Sequence, residues 1–161
     1  LIAILSGHCV PVNDTWLRRL SAAFTASDVA GVYGRQEPLP DTNDFDKRDL
    51  WTTFGLDRRI QVKDFFFHNA NSMIRRSVWE TIPFNEDLAS VEDRDWAKRA
   101  LEEGSRIVYE PSAFGFAVTL LAVADRRCCR WARAPPSLCA AARKGLCIAS
   151  PRPPRPNLAR R

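Results

Sequence analysis

The sequence predicts an α/β fold, because short apolar runs alternate along the chain with segments of helical periodicity. The apolar run Leu1–Leu5 precedes an amphipathic segment, and the same alternation recurs as far as Tyr109. The 161 residues, of which 45% are hydrophobic, can form one domain with a core. No signal peptide is visible, and no apolar run reaches the ~20 residues of a membrane-spanning helix.

The first three elements follow from short local patterns. Leu1–Leu5, LIAIL, is aliphatic throughout, which is typical of a strand buried on both faces. Asn13 or Asp14 can cap the helix that follows. Val29–Tyr33 reads as the next strand, closed by Gly34. The predicted first helix has four residues on one face: Trp16, Leu17, Leu20 and Phe24.

The middle of the chain is less regular. Residues 35–60 are polar and rich in Pro, Asp and Asn, so we expect a long loop with one short helix near Lys47–Thr53. Phe65–Phe67 is expected to be a strand and Arg75–Thr81 a short helix. Arg106–Tyr109 reads as the last strand before the composition of the chain changes.

The segment Ser90–Gly104, SVEDRDWAKRALEEG, is predicted to be an amphipathic helix. Ser90 is a good N-cap residue, and Gly104 is a typical helix stop. The apolar residues recur at helical spacing and form one face: Trp96, Ala97, Ala100 and Leu101. Trp96 on this face is expected in the core rather than as a platform for a ligand.

Three carboxylates in the first turn of this helix project differently. At ~100° per residue, Asp93 lies near the middle of the apolar face, one turn before Trp96. Glu92 falls at the edge of that face, and Asp95 points nearly opposite. Asp93 is therefore expected to face the interior or a cleft. The alternative is that Asp93 only stabilises the helix through the helix dipole, and spacing alone does not decide.

The last third of the chain has a different composition. Residues 115–161 contain ten Lys/Arg and one acid, a net charge of +9, whereas the remaining residues carry a net charge of −4. Four of the five cysteines lie there without the CxxC spacing of zinc sites, so free thiols are expected. We expect a disordered basic tail, and the abrupt change favours a shifted reading frame or an unrelated fusion.

Four runs, taken in order, resemble a known family. They are LSGHCVPVNDTWL, VAGVYGRQ, FFHNANSMIRRSVWETIPFNEDL and VEDRDWAKRALEEGSRIVYEPSA. This ordered set resembles the family 2 glycosyltransferases of the GT-A fold, and most of all the bacterial rhamnosyltransferase-like members. The resemblance implies that residues 1–113 form the C-terminal half of a GT-A fold with a mixed sheet. Residues 114–161 would then be a low-complexity tail.

The resemblance also implies roles for individual residues. Asp93, with Glu92 beside it, matches the general base that removes a proton from an acceptor hydroxyl. Arg75 and Arg76 could reach a phosphate, or could simply be exposed residues of the short helix. The candidate substrate-binding residues are Asn69, Asn71, Ser72, Arg75 and Asp95.

The expected metal site departs from the family pattern. The family usually has Asp-x-Asp at a strand end, whereas this chain has Ser6-Gly7-His8. His8 is a candidate ligand for a divalent cation, Mn²⁺ more than Mg²⁺, because imidazole brings no charge. The alternative is a polar residue at a strand end. Cys9 is expected to be a small buried hydrophobe rather than a nucleophile.

The resemblance predicts transfer of a sugar, with inversion, from a nucleotide-diphosphate donor to a glycan or lipid-linked acceptor in surface polysaccharide synthesis. The nucleotide-binding strands and a late histidine of the family have no counterpart, so we expect a fragment that is inactive alone. A cytoplasmic location is expected, with possible association with the inner face of the plasma membrane. The alternative is a non-catalytic chain that binds anionic partners through the basic tail, without a specific nucleic acid partner.

Overall fold

The computed structural model describes residues 1–88 and 90–117, and it shows a mixed β-sheet with helices on both faces. The strands are β1 (Ile2–Leu5), β2 (Cys9–Pro11), β3 (Val29–Pro38), β4 (Arg59–Gln61), β5 (Asn71–Ile74) and β6 (Arg106–Ala117). The helices are α1 (Trp16–Ala22), α2 (Asp44–Thr53), α3 (Arg76–Thr81) and α4 (Glu92–Glu102). The predicted α/β class with a mixed sheet is confirmed.

The sheet order is β1-β5-β3-β6-β2, and β4 pairs with the first part of β6. Strands β3 and β6 are parallel, with Tyr33 opposite Tyr109. The other pairs in the described residues are antiparallel, including β1 with β5, where Leu5 lies opposite Asn71. The carboxyl ends of β1, β3 and β6 therefore meet the amino end of β5 at one edge, which we call the carboxyl edge.

Alternating residues of the central strands build two cores on opposite faces of the sheet. On one face Tyr33, Ile74 and Tyr109 pack with Trp96 and Phe67, beneath α4. On the other face the core beneath α1 contains Leu20, Val32, Met73 and Val108. Trp96 is fully buried and packs against Phe67 with the rings tilted by 44° and 5.3 Å between their centroids. The prediction that Trp96 belongs to the core is confirmed.

Two strand predictions are wrong. Leu1–Leu5 is not buried on both faces, because within the described residues β1 pairs with β5 alone and alternates between half-buried and exposed residues, with Leu5 43% exposed. Phe65–Phe67 is not a strand; its backbone is irregular while the Phe67 ring enters the core. The strand that follows is β5, Asn71–Ile74, whose first two residues are polar.

Long-range pairing also lengthens several elements beyond their predicted ends. Strand β3 continues through Gly34 to Pro38, and α2 replaces much of the predicted loop at 35–60. Strand β6 continues through Pro111 to Ala117, past the expected boundary at 113. The rest of the predicted tail, with its four cysteines, its basic charge and the alternative anionic-partner role, lies outside the described residues.

Helix α4 begins at Glu92 and ends at Glu102, inside the predicted span. Its N-cap is Val91 without a side-chain cap, so the predicted cap at Ser90 is wrong, since Ser90 has a positive φ of 68°. The stop at Gly104 is confirmed, because its φ of 81° suits glycine. Among the described residues, no helix has the length and apolar character needed to cross a membrane.

Candidate functional site

Asp93 lies at the carboxyl edge, in the first turn of α4, and is half-buried. Its Oδ2 accepts a hydrogen bond from the backbone N–H of Asn69 at 3.1 Å. Its Oδ1 accepts one from the N–H of Arg94 at 2.8 Å. Two backbone donors thus fix the orientation of the carboxylate, and each oxygen retains a lone pair for a further donor. The inward direction predicted for Asp93 agrees with this position.

His68 directly precedes Asn69, whose N–H bonds to Asp93. The hydrogen bonds around the His68 ring indicate which of its nitrogens carries the proton. The N–H of Ala70 donates to Nδ1 at 3.1 Å, and the Gln36 amide nitrogen also lies 3.1 Å from Nδ1. Because Nδ1 accepts, this network assigns the proton of the neutral ring to Nε2. The ring packs edge-on against Phe54, with 5.9 Å between centroids.

The electrostatic surroundings of His68 show which charges share the edge. Burial lowers the pKa of His68 below its usual value. The charges of Asp93 and Glu92 act in the opposite direction, and those of Arg94 and His8 add to the lowering. Two carboxylates, one guanidinium and a second imidazole therefore influence His68 at this edge, although the five groups come from three separate parts of the chain.

His8 lies on the exposed turn between β1 and β2. The Ser6 hydroxyl lies 3.0 Å from its Nδ1. Cys9 beside it is buried, and this burial raises the pKa of the Cys9 thiol to about 11. The prediction that Cys9 is a small buried hydrophobe is confirmed. A thiol with so high a pKa is a poor nucleophile at neutral pH.

Asn71 and Ser72 are at the carboxyl edge but inside the sheet, 1% and 0% exposed. The Asn71 amide donates to the carbonyl oxygens of Arg35 and Ala113, and its Oδ1 accepts from the Trp16 indole. These bonds satisfy its polar atoms, so the side chain is not available to a sugar. Sequence reasoning could not find these partners, because they lie 36 to 55 residues away.

The close approach of β3 to β6 explains how Asn71 reaches both carbonyls. Gly34 lies beside them, and a Cβ built on it would be 1.8 Å from the Ala113 carbonyl oxygen and 2.5 Å from the Asn71 amide nitrogen. Only glycine fits in this space. The position of Gly34 in the resemblance run VAGVYGRQ therefore has a packing reason.

Arg75 lies at the opposite end of β5 from Asp93, so the predicted contact with substrate is not supported. Its Nε donates to the Val29 carbonyl and its Nη2 to the Ala26 carbonyl, both at 2.9 Å. The guanidinium also lies 5.4 Å from the centre of the Phe24 ring. Arg75 thus joins β5 to the start of β3 and does not face the carboxyl edge.

Asp95 points away from Asp93, as the helical spacing predicts. Its Oδ2 accepts from Arg99 at 2.9 Å within α4, and Arg99 also donates to the Pro83 carbonyl. Asp95 therefore ties α4 to the preceding loop, and its predicted contact with substrate has no support from this geometry. Asn69 is half-buried, and its Oδ1 makes one long contact, 3.4 Å, with the Ser72 hydroxyl.

The described residues hold no group of three or more His, Cys, Asp or Glu side chains arranged to bind a metal ion. His8 is exposed, and its nearest recorded polar partner is a hydroxyl rather than a carboxylate. A hard divalent cation needs several oxygen ligands. The residues that the structure describes therefore do not form a metal shell around His8.

Two residues at the edge escaped sequence reasoning. The sequence predicts a loop at Gln36, whereas Gln36 continues β3 and contacts His68. The sequence does not predict a role for His68, although His68 lies in one of the runs that carry the resemblance. One feature of the sequence could have indicated Gln36. Arg35 and Gln36 are polar and follow the predicted end of a buried strand at Gly34, and open α/β sheets bind ligands at the ends of their strands.

Comparison with protein-family models, with curated proteins and with solved structures finds no match to the chain. The function of the carboxyl edge is therefore argued from its geometry and from the residues that carry the resemblance.

Proposed function

We propose that the carboxyl edge is the acceptor side of a glycosyltransferase site, with Asp93 as the general base. The observation that carries the proposal is the position of Asp93: a half-buried carboxylate, oriented by two backbone N–H groups, at the ligand-binding end of an α/β sheet. Support also comes from the resemblance, which assigns the base to this residue independently of the contacts.

The proposed reaction is an inverting transfer. A hydroxyl of the acceptor donates a hydrogen bond to a free lone pair of Asp93. As the acceptor oxygen attacks the anomeric carbon of the donor sugar, its proton passes to the Asp93 carboxylate. The bond from the anomeric carbon to the diphosphate breaks on the opposite face, and the nucleoside diphosphate leaves with the electron pair.

Neighbouring groups can orient the acceptor. The side-chain amide of Asn69 and the Nε2–H of His68 belong to half-buried residues beside Asp93, and both groups can bond to sugar hydroxyls. Glu92, also half-buried, is the second carboxylate of the proposed site. These contacts would fix which hydroxyl approaches Asp93.

A divalent cation, Mn²⁺ or Mg²⁺, remains part of the proposal through the resemblance and His8. The described residues do not complete a shell for it, so no step of the reaction is derived through the cation. The donor would be a nucleotide-diphosphate sugar. The acceptor would be a glycan or lipid-linked glycan of the cell envelope, reached from the cytoplasmic side of the membrane.

Two measurements test the proposal. In a transfer assay with nucleotide-diphosphate sugars, saccharide acceptors and Mn²⁺, Asp93→Asn should reduce turnover about 100-fold or more. Asp95→Asn is the matched control on the same helix and should retain turnover. For a chain without turnover, saccharides should shift the amide NMR signal of Asn69, which donates to Asp93. The proposal fails if no donor is turned over and no saccharide shifts that signal.

A further inference from the structure

We propose that the carboxyl edge continues into a saccharide subsite in which the Trp51 indole is the platform for a sugar ring and Glu37 and Arg35 are its polar partners. This inference rests on the proposed function, because it names where the acceptor chain would lie beyond the reacting hydroxyl. The subsite is formed by α2 and the end of β3, which have no role in the proposed proton transfer.

Trp51 is a large aromatic side chain held in an exposed position. It lies near the end of α2 and is 59% exposed. Its Nε1–H donates to Glu37 Oε2 at 3.3 Å, which tethers the exposed ring to the end of β3. An exposed indole with a fixed polar end offers an apolar face for the C–H groups of a sugar at little cost in conformational entropy.

Glu37 is itself held in place. Its Oε1 accepts from Arg35 Nη2 at 2.7 Å, and the two side chains are only 21% and 16% exposed. The Arg35 guanidinium also lies over the Phe114 ring at 5.0 Å. Its buried Nε has no hydrogen-bond partner among the described residues. A buried donor without a partner is costly unless a ligand or water supplies one.

Packed side chains connect the subsite to the proposed base. Gln36, next to Glu37 on β3, contacts the His68 ring, and His68 precedes Asn69, whose N–H donates to Asp93. Phe54, one turn after Trp51, packs on the same ring. Trp51 is therefore linked to the loop beside Asp93 through the buried side chains of Gln36 and Phe54, which are each 5% exposed.

Charge favours a saccharide over a membrane as the occupant. Phe45 and Leu56 are also exposed, at 75% and 74%, and exposed aromatic and aliphatic residues can insert into a bilayer. However, α2 carries three carboxylates, at Asp44, Asp46 and Asp49, against two cations. The helix therefore lacks the Lys/Arg-rich polar face of membrane-binding helices, whereas a neutral saccharide requires no such charge.

The test follows two NMR signals of the full chain in one titration. The probes are neutral di- and trisaccharides of hexose, N-acetylhexosamine and 6-deoxyhexose units. At least one probe should shift both the Trp51 indole N–H and the Asn69 amide. Trp51→Ala should weaken binding of that probe about tenfold or more, whereas Trp51→Phe should keep most of the affinity. Phe45→Ala is the matched control on the same helix and should bind like the unchanged chain.

The outcomes separate the two proposals. If a probe shifts Asn69 and Trp51→Ala binds it unchanged, the subsite is overturned while the proposed function stands. If a probe shifts only Trp51, the subsite stands and the acceptor role of the Asp93 edge loses its support. If no probe shifts either signal, both are overturned. If Trp51 responds to vesicles of phosphatidylglycerol but to no saccharide, the exposed ring binds membranes and the subsite is wrong.

Discussion

Two adjacent pieces of the chain carry the same kinds of side chain but use them differently. In the loop formed by His68 and Asn69, both side chains are half-buried, and the backbone N–H of Asn69 donates to Asp93. In β5 and Arg75, directly after it, the polar side chains bond to protein groups, chiefly backbone carbonyls. The sequence grouped both pieces into one ligand-binding block, and the structure separates them.

The difference shows what makes a polar side chain a candidate for ligand binding. A side chain whose donors and acceptors are satisfied inside the protein stabilises the fold, because removing it leaves buried partners unpaired. A side chain with an unused donor or acceptor at the carboxyl edge can exchange water for a ligand. The variants below test whether this division holds.

The largest loss of stability should come from Asn71→Ala. This change removes bonds to the Arg35 and Ala113 carbonyls and to the Trp16 indole, in a side chain that is 1% exposed. Unfolding free energy should fall by about 3 kcal/mol or more, because several buried groups lose their partners. Urea unfolding followed by circular dichroism would measure it.

Asn69→Ala is the control from the other piece. Its side chain makes a single 3.4 Å contact, so the loss should stay below about 1 kcal/mol. Equal losses for Asn69→Ala and Asn71→Ala would remove the distinction between the two pieces.

Arg75→Ala should have the next largest effect. The guanidinium donates to the carbonyls of Val29 and Ala26, and a half-buried charged donor of this kind contributes about 2 kcal/mol. The same unfolding experiment would detect the loss. Arg76→Ala, at the exposed neighbouring position, should change stability by no more than about 0.5 kcal/mol. Reduced saccharide binding in a folded Arg75→Ala chain would restore Arg75 to the site.

Asp93→Asn should change stability little and ligand response greatly. An asparagine oxygen can still accept from the Asn69 N–H, so the loss in unfolding free energy should be under about 1 kcal/mol. The saccharide-induced shift of the Asn69 amide should become much smaller, because asparagine replaces one acceptor oxygen by an NH2 group. If both the shift and the turnover in the transfer assay stay unchanged, Asp93 only stabilises the start of α4, which is the alternative left open by the sequence.

The sequence predicts those features of the fold that depend on residues close together in the chain. The apolar face of α4 follows from spacing alone, and Trp96, Ala97 and Ala100 are indeed buried. Strands β2, β4 and β5 are short or polar, and their pairing partners lie far along the chain. The sequence predicts no strand at β5, because the burial of β5 comes from β1 and β3 on either side.

The site shows the same limit of local information. The helical spacing turned Asp93 inward, and its contacts agree. Whether the side chain of Asn71 or of Arg75 is free to bind a ligand depends on which backbone carbonyl groups the fold places beside it. The bonds of Asn71 to Ala113 and of Arg75 to Ala26 join residues 42 and 49 positions apart. No feature of the sequence around either residue indicates these partners.

The smallest predicted effect is a pH dependence from His68. Burial is the main cause that lowers the pKa of His68 in the folded chain. The charges of Arg94 and His8 lower this pKa further, whereas those of Asp93 and Glu92 raise it. As the pH falls below the usual value of 6.5, the unfolded chain takes up a proton that folded His68 resists. Unfolding free energy should therefore decrease from pH 7 downward until the folded pKa is passed, and then level off.

Urea midpoints at several pH values between 7 and 5 would measure this decrease, with His68→Gln as the test variant. A glutamine oxygen can still accept from the Ala70 N–H, so the loop should keep its hydrogen bond while the titration is lost. The pH dependence of stability should therefore be shallower in His68→Gln than in the unchanged chain, and the His8→Gln chain, which keeps His68, should retain it. Identical pH profiles for His68→Gln and the unchanged chain would mean that His68 is as well solvated as in the unfolded state, and that it is not part of a half-buried edge around Asp93.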